Sequence, residues 1–315
     1  MKIVIPDSKT ITRGDISFDR FGEFGEVEIY ELSGAELMPQ RVISADIILT
    51  NKVPMNEKTL SQAKNLRYIG LFATGYNNID LEYCRKRNIT VCNAAGYSTE
   101  AVAQHTFALI LSHYSRIGEY NEFVCSGGWQ RSDTFSPFIY KTQELCGKTI
   151  GIVGLGAIGM RVAQIAQAFG MNVLFFSRSK KKLEGAAQVS LEELVEKSDI
   201  VTVHCPLNDE SRGMFDKKMF LRFKPTAYFI NTARGGIADE EALRWALENG
   251  VIAGAAADVL RTEPMAADCP LIGAPNMTIT PHTAWAAKET RERCVQQAYE
   301  TLKAYINGRP VNVIV

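Results

Sequence analysis

Short apolar runs rich in β-branched residues punctuate the first third of the chain: KIVIP (2–6), EVEIYEL (26–32), ADIILT (45–50), LRYIGLFA (66–73) and ITVCNA (89–94). Polar or helix-compatible stretches separate several of them, and this alternation predicts parallel strands joined by helical crossovers. Residues 99–116 change the period, with apolar positions recurring every three or four residues, and predict one long helix. Strand-like runs then resume at TIGIVG (149–154), NVLFF (172–176), DIVTVHCP (199–206), AYFINTA (227–233), IAGAAADVL (252–260) and MTITPH (277–282). Helical patterns lie between them at RVAQIAQAF (161–169) and EEALRWALENG (240–250), and Ser190 with Glu193 has the spacing of a capping box. A long amphipathic helix is expected over 287–305.

Two strand series imply an α/β fold of two doubly wound parallel-sheet domains. The boundaries expected are 1–98 plus 287–315 for one domain and 99–286 for the other, with 125–147 as an irregular connector rich in Gly, Ser and aromatics. If the final helix returns to the first domain, the crevice between the two faces the carboxyl strand ends of the second, where open α/β sheets bind ligands.

Charge narrows the choice of partner. Lysine plus arginine (35) equal aspartate plus glutamate (35), so no global field draws the chain to nucleic acid or an anionic membrane. The short apolar start after Lys2 is too brief for a signal peptide, and no run approaches a membrane span, so a cytoplasmic location is expected. Seven scattered cysteines without a C-x-x-C pair suggest reduced thiols and no metal site.

The stretch VGLGAIG (153–159) leaves a strand-like run and enters a helix-like one, the context in which G-x-G-x-x-G marks a dinucleotide site. Gly154 permits the tight turn, Gly156 lets the backbone approach a pyrophosphate, and Gly159 lets helix and strand pack closely; Ala157 and Ile158 open the helix. The helix amino terminus then offers N–H groups and its dipole to the phosphates. In an NAD site an acidic residue about 20 positions on accepts the ribose 2′-hydroxyl. Here that place falls at Ser177, followed by Arg178, Ser179 and three lysines. A hydroxyl and a guanidinium fork suit a 2′-phosphate, so NADP(H) is favoured and NAD(H) remains possible.

Among four histidines, His105 and His113 fall in the long helical pattern as packing or surface residues, and His204 reads as structural within VTVHCPL. His282 differs, because it follows Pro281 at the carboxyl end of the last strand.

VGLGAIG, HCPL (204–207), INTARGG (230–236), ADVLRTEP (257–264) and PHTAWA (281–286), in this order and spacing, make the chain resemble the D-isomer-specific 2-hydroxyacid dehydrogenase family. The variants ATGYNNID (73–80), GYSTEAVAQHT (96–106) and PHTAWA resemble its glycerate dehydrogenase or hydroxypyruvate reductase branch. The resemblance implies a flavodoxin-like substrate domain and a Rossmann dinucleotide-binding domain, with Arg234, Glu263 and His282 as the active site. The residue types suit the chemistry. Reduction of a 2-oxo acid needs a proton donor for the carbonyl oxygen, which an imidazole titrating near neutrality supplies. A glutamate on its other ring nitrogen favours the imidazolium and orients it. An arginine, always charged, holds the carboxylate.

The same resemblance implies that Thr74 and Gly75 present backbone amides to the substrate carboxylate and that Asp258 orients the nicotinamide. Cys205, Pro206, Thr232, Ala233 and Thr106 line the cofactor. Trp285 either walls the substrate pocket or packs the last helix, and Trp129, in the aromatic connector, either belongs to a homodimer contact or has no such role; the homodimer itself is implied by the resemblance. The expected function is hydride transfer between NAD(P) and a small 2-oxo or 2-hydroxy acid. Reduction of hydroxypyruvate or glyoxylate to D-glycerate or glycolate is favoured over D-lactate or 3-phosphoglycerate chemistry. A dinucleotide-sensing corepressor of the same superfamily is the rival, and retention of Arg234, Glu263 and His282 argues against it. A methyltransferase would share only the glycine loop and would want an acidic ribose ligand.

Overall fold

In the computed structural model, which describes residues 1–315, the first five apolar runs pair as parallel strands: β1 (Lys2–Ile5), β2 (Glu26–Ile29), β3 (Ile47–Thr50), β4 (Tyr68–Leu71) and β5 (Thr90–Cys92). Their order is β2-β1-β3-β4-β5, the flavodoxin-like arrangement of a doubly wound sheet. Short helices α1 (Met38–Arg41), α2 (Glu57–Leu60) and α3 (Leu81–Lys86) make the crossovers. Every residue of β3 and β4 is buried, as a parallel sheet covered on both faces requires.

The chain then enters a second unit through α4 (Thr99–Ser115) and α5 (Ile117–Cys125), separated by Arg116 in the left-handed region at φ 53°. Seven parallel strands follow. They are β6 (Thr149–Val153), β7 (Asn172–Phe176), β8 (Ala186–Gln188), β9 (Ile200–Val203), β10 (Tyr228–Asn231), β11 (Gly254–Ala257) and β12 (Met277–Ile279). Helices α6 (Ala157–Ala168), α7 (Leu191–Lys197), α8 (Lys217–Phe220) and α9 (Glu240–Glu248) connect them. The order β12-β11-β10-β9-β6-β7-β8 is that of a Rossmann sheet, and it reverses between β6 and β9. One face packs α4 and α6 through Ala103, Phe107, Ile110, Val162 and Ala166 onto Ile150 and Ile152. The other gathers Leu194, Phe220, Phe229 and Leu243.

Finally α10 (Lys288–Ile306) returns to the first sheet and lays Cys294, Ala298 and Leu302 against Ile3, Ile5 and Phe72. The compact units are therefore Met1–Ser98 with Trp285–Val315, and Thr99–Ala284.

Strand positions follow the apolar runs, trimmed at their ends. Helices α5 and α8 and strand β8 escape the sequence pattern. Helix α5 lies beyond the helix expected over 99–116 and buries none of its residues, so no core-facing apolar stripe announces it. Strand β8 is only AAQ, with no β-branched residue to announce it. At Ser190 one half of the expected cap forms, its hydroxyl accepting from the Glu193 amide at 3.1 Å.

Candidate active site

The three glycines of the loop after β6 have three distinct surroundings. Gly154 has φ +99°, and a Cβ there would lie 2.7 Å from the Cys205 amide nitrogen, so the loop touches the end of β9. Gly159 faces the Gly154 carbonyl oxygen, which a Cβ would approach to 2.1 Å. Gly156, the N-cap of α6, has open space at its Cβ position and no side chain capping the helix. A pyrophosphate fits there: the backbone can be approached closely, and the first turn of α6 holds no acid to repel it.

A cavity of about 710 Å³ runs from this loop along the carboxyl ends of β7 and β9. Gly154, Gly156, Ser177, Arg178, Ser179 and Lys181 line one side. Cys205, Pro206, Asn208, Glu210 and Ser211 line the other. The β7 turn is held by Gln188 of β8, whose amide donates to the Ser177 and Ser179 carbonyls at 2.9 and 3.0 Å and whose oxygen accepts from the Lys181 amide. Burial pushes the Cys205 thiol up, so it stays protonated in this cavity.

Where β12 ends, His282 sits at φ 53°, and its Nδ1 lies 2.6 Å from Glu263 Oε2. The other Glu263 oxygen accepts the Leu260 amide at 2.9 Å, which fixes the carboxylate. Both side chains are about one-quarter to one-third exposed, so Nε2 of the imidazole can meet a small molecule. Asp258, almost fully buried, anchors the loop that carries His282. Its carboxylate accepts from Thr280 Oγ1, Thr283 N and Ala284 N at 2.6, 2.8 and 2.9 Å, while its carbonyl accepts the His282 amide. His105, expected to be packing or surface, instead sets Nε2 3.0 Å from Thr280 Oγ1 and 3.6 Å from Asp258.

Arg234 is half-buried just after β10, with Nη1 donating to the Ala233 carbonyl at 2.6 Å. Asn231 clamps this turn, donating to the Arg234 carbonyl and accepting from the Ala233 amide. The glycine after Arg234 has a packing reason, since a Cβ on Gly235 would fall 1.9 Å from the Leu260 carbonyl carbon. The Arg234 turn thus lies against the segment that leads to Glu263. Buried Glu240 accepts the Arg261 amide at 2.6 Å and steadies that segment from α9. Thr106 and Thr232, both buried, bring their hydroxyls to 3.4 Å of each other.

Thr74, Gly75 and Trp285 belong to the other unit. Thr74 is exposed at the end of β4, its hydroxyl donating to the Ala94 carbonyl at 2.9 Å, and Asn93 donates to its carbonyl at 2.7 Å. Trp285 packs edge-on against Tyr97 at 6.2 Å on the core under α10. The remaining histidines are structural. His113 stacks on Tyr228 at 4.0 Å, and burial, aided by Arg116, pulls its pKa down to about 4. His204, half-buried in the lining of the glycine-loop cavity and beside the Thr202 hydroxyl, falls to about 3 for the same first reason.

Sequence reasoning passed over Gln188, Glu210, Asn231, Glu240 and the His105–Thr280 contact. Their partners are distant in the chain, and no local spacing announces them; only the glycine pair beside Arg234 hinted at a crowded turn.

A Rossmann sheet with a ligand-ready glycine loop at its switch point and a histidine–glutamate pair at the end of β12 defines a dinucleotide-binding α/β protein. The match to known families refines this. Residues 107–284 fit the model described as D-isomer specific 2-hydroxyacid dehydrogenase, NAD binding domain. A hydroxypyruvate reductase from Blautia hydrogenotrophica is 37% identical over 320 residues, covering 100% of this chain and 99% of its own. Among solved structures, an acyclic imino acid reductase in complex with NADPH and D-Arg aligns over 100% of both chains at 33% identity and a TM-score of 0.89. A NADPH-dependent glyoxylate/hydroxypyruvate reductase from Sinorhizobium meliloti, in complex with NADP and malonate, aligns over 100% of this chain and 96% of its own at 26% identity, TM-score 0.87. The chain belongs to the D-isomer-specific 2-hydroxyacid dehydrogenase family. It is an NAD(P)-dependent oxidoreductase of 2-hydroxy and 2-oxo acids.

Proposed function

We propose that the protein reduces hydroxypyruvate or glyoxylate to D-glycerate or glycolate, with NADPH preferred to NADH. The observation that carries the reading is the 2.6 Å contact between His282 and Glu263 at the carboxyl end of β12, in the unit that bears the glycine loop. The bound nicotinamide supplies a hydride to C2 of the acid. His282 donates the Nε2 proton to the carbonyl oxygen as it gains charge, and Glu263 on Nδ1 holds the imidazole in the donor orientation. Arg234 holds the substrate carboxylate, and its rigid fork orients the keto group. The preference for NADPH rests on Ser177 and Arg178 at the end of β7, where an NAD site would carry an acid.

The protein acts in the cytoplasm as a homodimer. Seven free cysteines suit a reducing compartment, no helix is long and apolar enough to cross a membrane, and exposed Trp129, Phe135 and Phe138 offer an apolar contact for a second copy.

The test is coenzyme oxidation by the purified chain against a panel of 2-oxo acids, with NADPH and NADH compared. Turnover of hydroxypyruvate or glyoxylate, strongly reduced in His282→Gln, is expected; a panel untouched with both coenzymes refutes the reading. The likeness to an imino acid reductase favours a second substrate class, since a protonated C=N accepts hydride as C=O does. Adding ammonia to the 2-oxo acid assays exposes that activity as a D-amino acid product.

A further inference from the structure

The cavity that receives the adenosine end has one acidic side chain on its lining, and it does not come from β7. Glu210 reaches in from the turn after β9, and its Oε2 lies 3.2 Å from Nη1 of Arg178. Both ends of this pair are rooted. Asn208 Oδ1 accepts the amides of Glu210 and Ser211 at 3.1 and 3.0 Å, and the Ser211 hydroxyl donates to the Pro206 carbonyl at 2.7 Å. Across the cavity Gln188 holds the Arg178 turn by three hydrogen bonds. The second cation of the lining, Lys181, directs its ammonium to the Leu155 carbonyl of the glycine loop at 2.5 Å.

Arg178 thus faces a choice of anion. A 2′-phosphate on the ribose must draw the guanidinium away from a carboxylate and then sit beside that carboxylate's charge. A plain 2′-hydroxyl asks for neither and finds in Glu210 the anionic acceptor that Ser177 does not provide. We propose that Glu210 is a coenzyme-selectivity residue: it holds Arg178 against the 2′-phosphate, accepts the 2′-hydroxyl of NAD(H), and so keeps open the use of both coenzymes. The inference rests on reading Arg178 as the 2′-phosphate ligand. The acid missing at the end of β7 is supplied from the loop after β9, across β6 in the sheet, where chain order hides it.

Coenzyme binding tests this without any substrate. Dissociation constants for NADPH and NADH are measured by nicotinamide fluorescence on the full-length protein carrying Glu210→Gln, Arg178→Ala or both. Glu210→Gln is expected to shift the ratio of constants toward NADPH by about fivefold at most, the upper scale of a mostly exposed charge interaction such as this pair. Arg178→Ala shifts it toward NADH, and in that background Glu210→Gln adds less than it does alone. A ratio in Glu210→Gln equal to wild type, with Arg178→Ala still shifting, overturns the role of Glu210 and leaves the reading of Arg178 standing. An undiminished Glu210 effect without Arg178 also overturns the competition. If Arg178→Ala leaves the ratio unchanged, the underlying reading of Arg178 fails and takes this proposal with it.

Discussion

A histidine becomes an acid catalyst through what holds its other nitrogen. Glu263 sits 2.6 Å from Nδ1 of His282 and is itself fixed by the Leu260 amide, so the orientation of the imidazole is set. His282→Gln is expected to lower kcat by about 10²- to 10⁴-fold, the range for a general acid, while coenzyme binding measured by fluorescence is unchanged. Glu263→Gln keeps the shape, loses the charge, and is expected to fall on the order of tenfold or more in kcat. A variant with unaltered turnover at either position would remove it from the mechanism. Histidines elsewhere do the opposite work. Burial against Tyr228 holds the pKa of His113 at about 4, below the 6.5 of a free imidazole. Between those values the unfolded chain binds the extra proton and the folded one does not, so stability is complete above about pH 6.5 and is lost as pH falls toward 4. Unfolding midpoints from pH 7 to 4 are expected to fall less steeply in His113→Phe, which keeps the stacking and cannot titrate; an equally steep fall would contradict the assignment. Of these residues, His282 was legible because histidines are few and a strand end is informative. Glu263 was legible only through its family motif, since nothing in a lone glutamate 19 residues upstream declares its partner.

At the scale of the element, the βαβ unit around the glycine loop separates folding from binding residue by residue. Gly159 must be small because the Gly154 carbonyl fills the space of a side chain, whereas Gly156 faces open space. Gly159→Ala is therefore expected to cost about 1–3 kcal/mol of stability, read as a lower urea midpoint. Gly156→Ala, at a φ of −81° that alanine accepts, is expected to unfold like wild type and to bind coenzyme several-fold more weakly. Equal unfolding losses in the two variants would mean that Gly156, too, serves the fold. Strands such as TIGIV and IVTV were plain in the sequence because they are buried on both faces and read as continuous apolar runs. Strand β8 was not, since three small or polar residues at a sheet edge carry no such signature. With it Gln188, which holds the turn after β7, was out of sight. Helix α5 was not announced because it buries none of its residues, so no core-facing apolar stripe marks it.

For the whole molecule, surface chemistry is the remaining guide to assembly. The connector after α5 is internally braced: the Trp129 indole donates to the Phe135 carbonyl at 3.0 Å, and Tyr120 meets Tyr140 edge-on at 5.0 Å. Bracing of this kind turns side chains outward. Phe135 and Phe138 are 91% and 92% exposed, with half-exposed Trp129 and Ile139 beside them, a concentration of apolar surface of the kind that marks interaction sites. Burying each phenyl ring fully is worth about 2–3 kcal/mol, and the balanced charge, 35 cations against 35 anions, sets no net repulsion against self-association. Sedimentation of the wild-type chain at micromolar concentration is expected to give a dimer. The double variant Phe135→Ser and Phe138→Ser should dissociate to monomers with its thermal unfolding little changed at high dilution, because neither ring belongs to a core. A wild-type chain that sediments as a monomer, or a dimer indifferent to both substitutions, would locate the contact elsewhere and leave these rings to another partner.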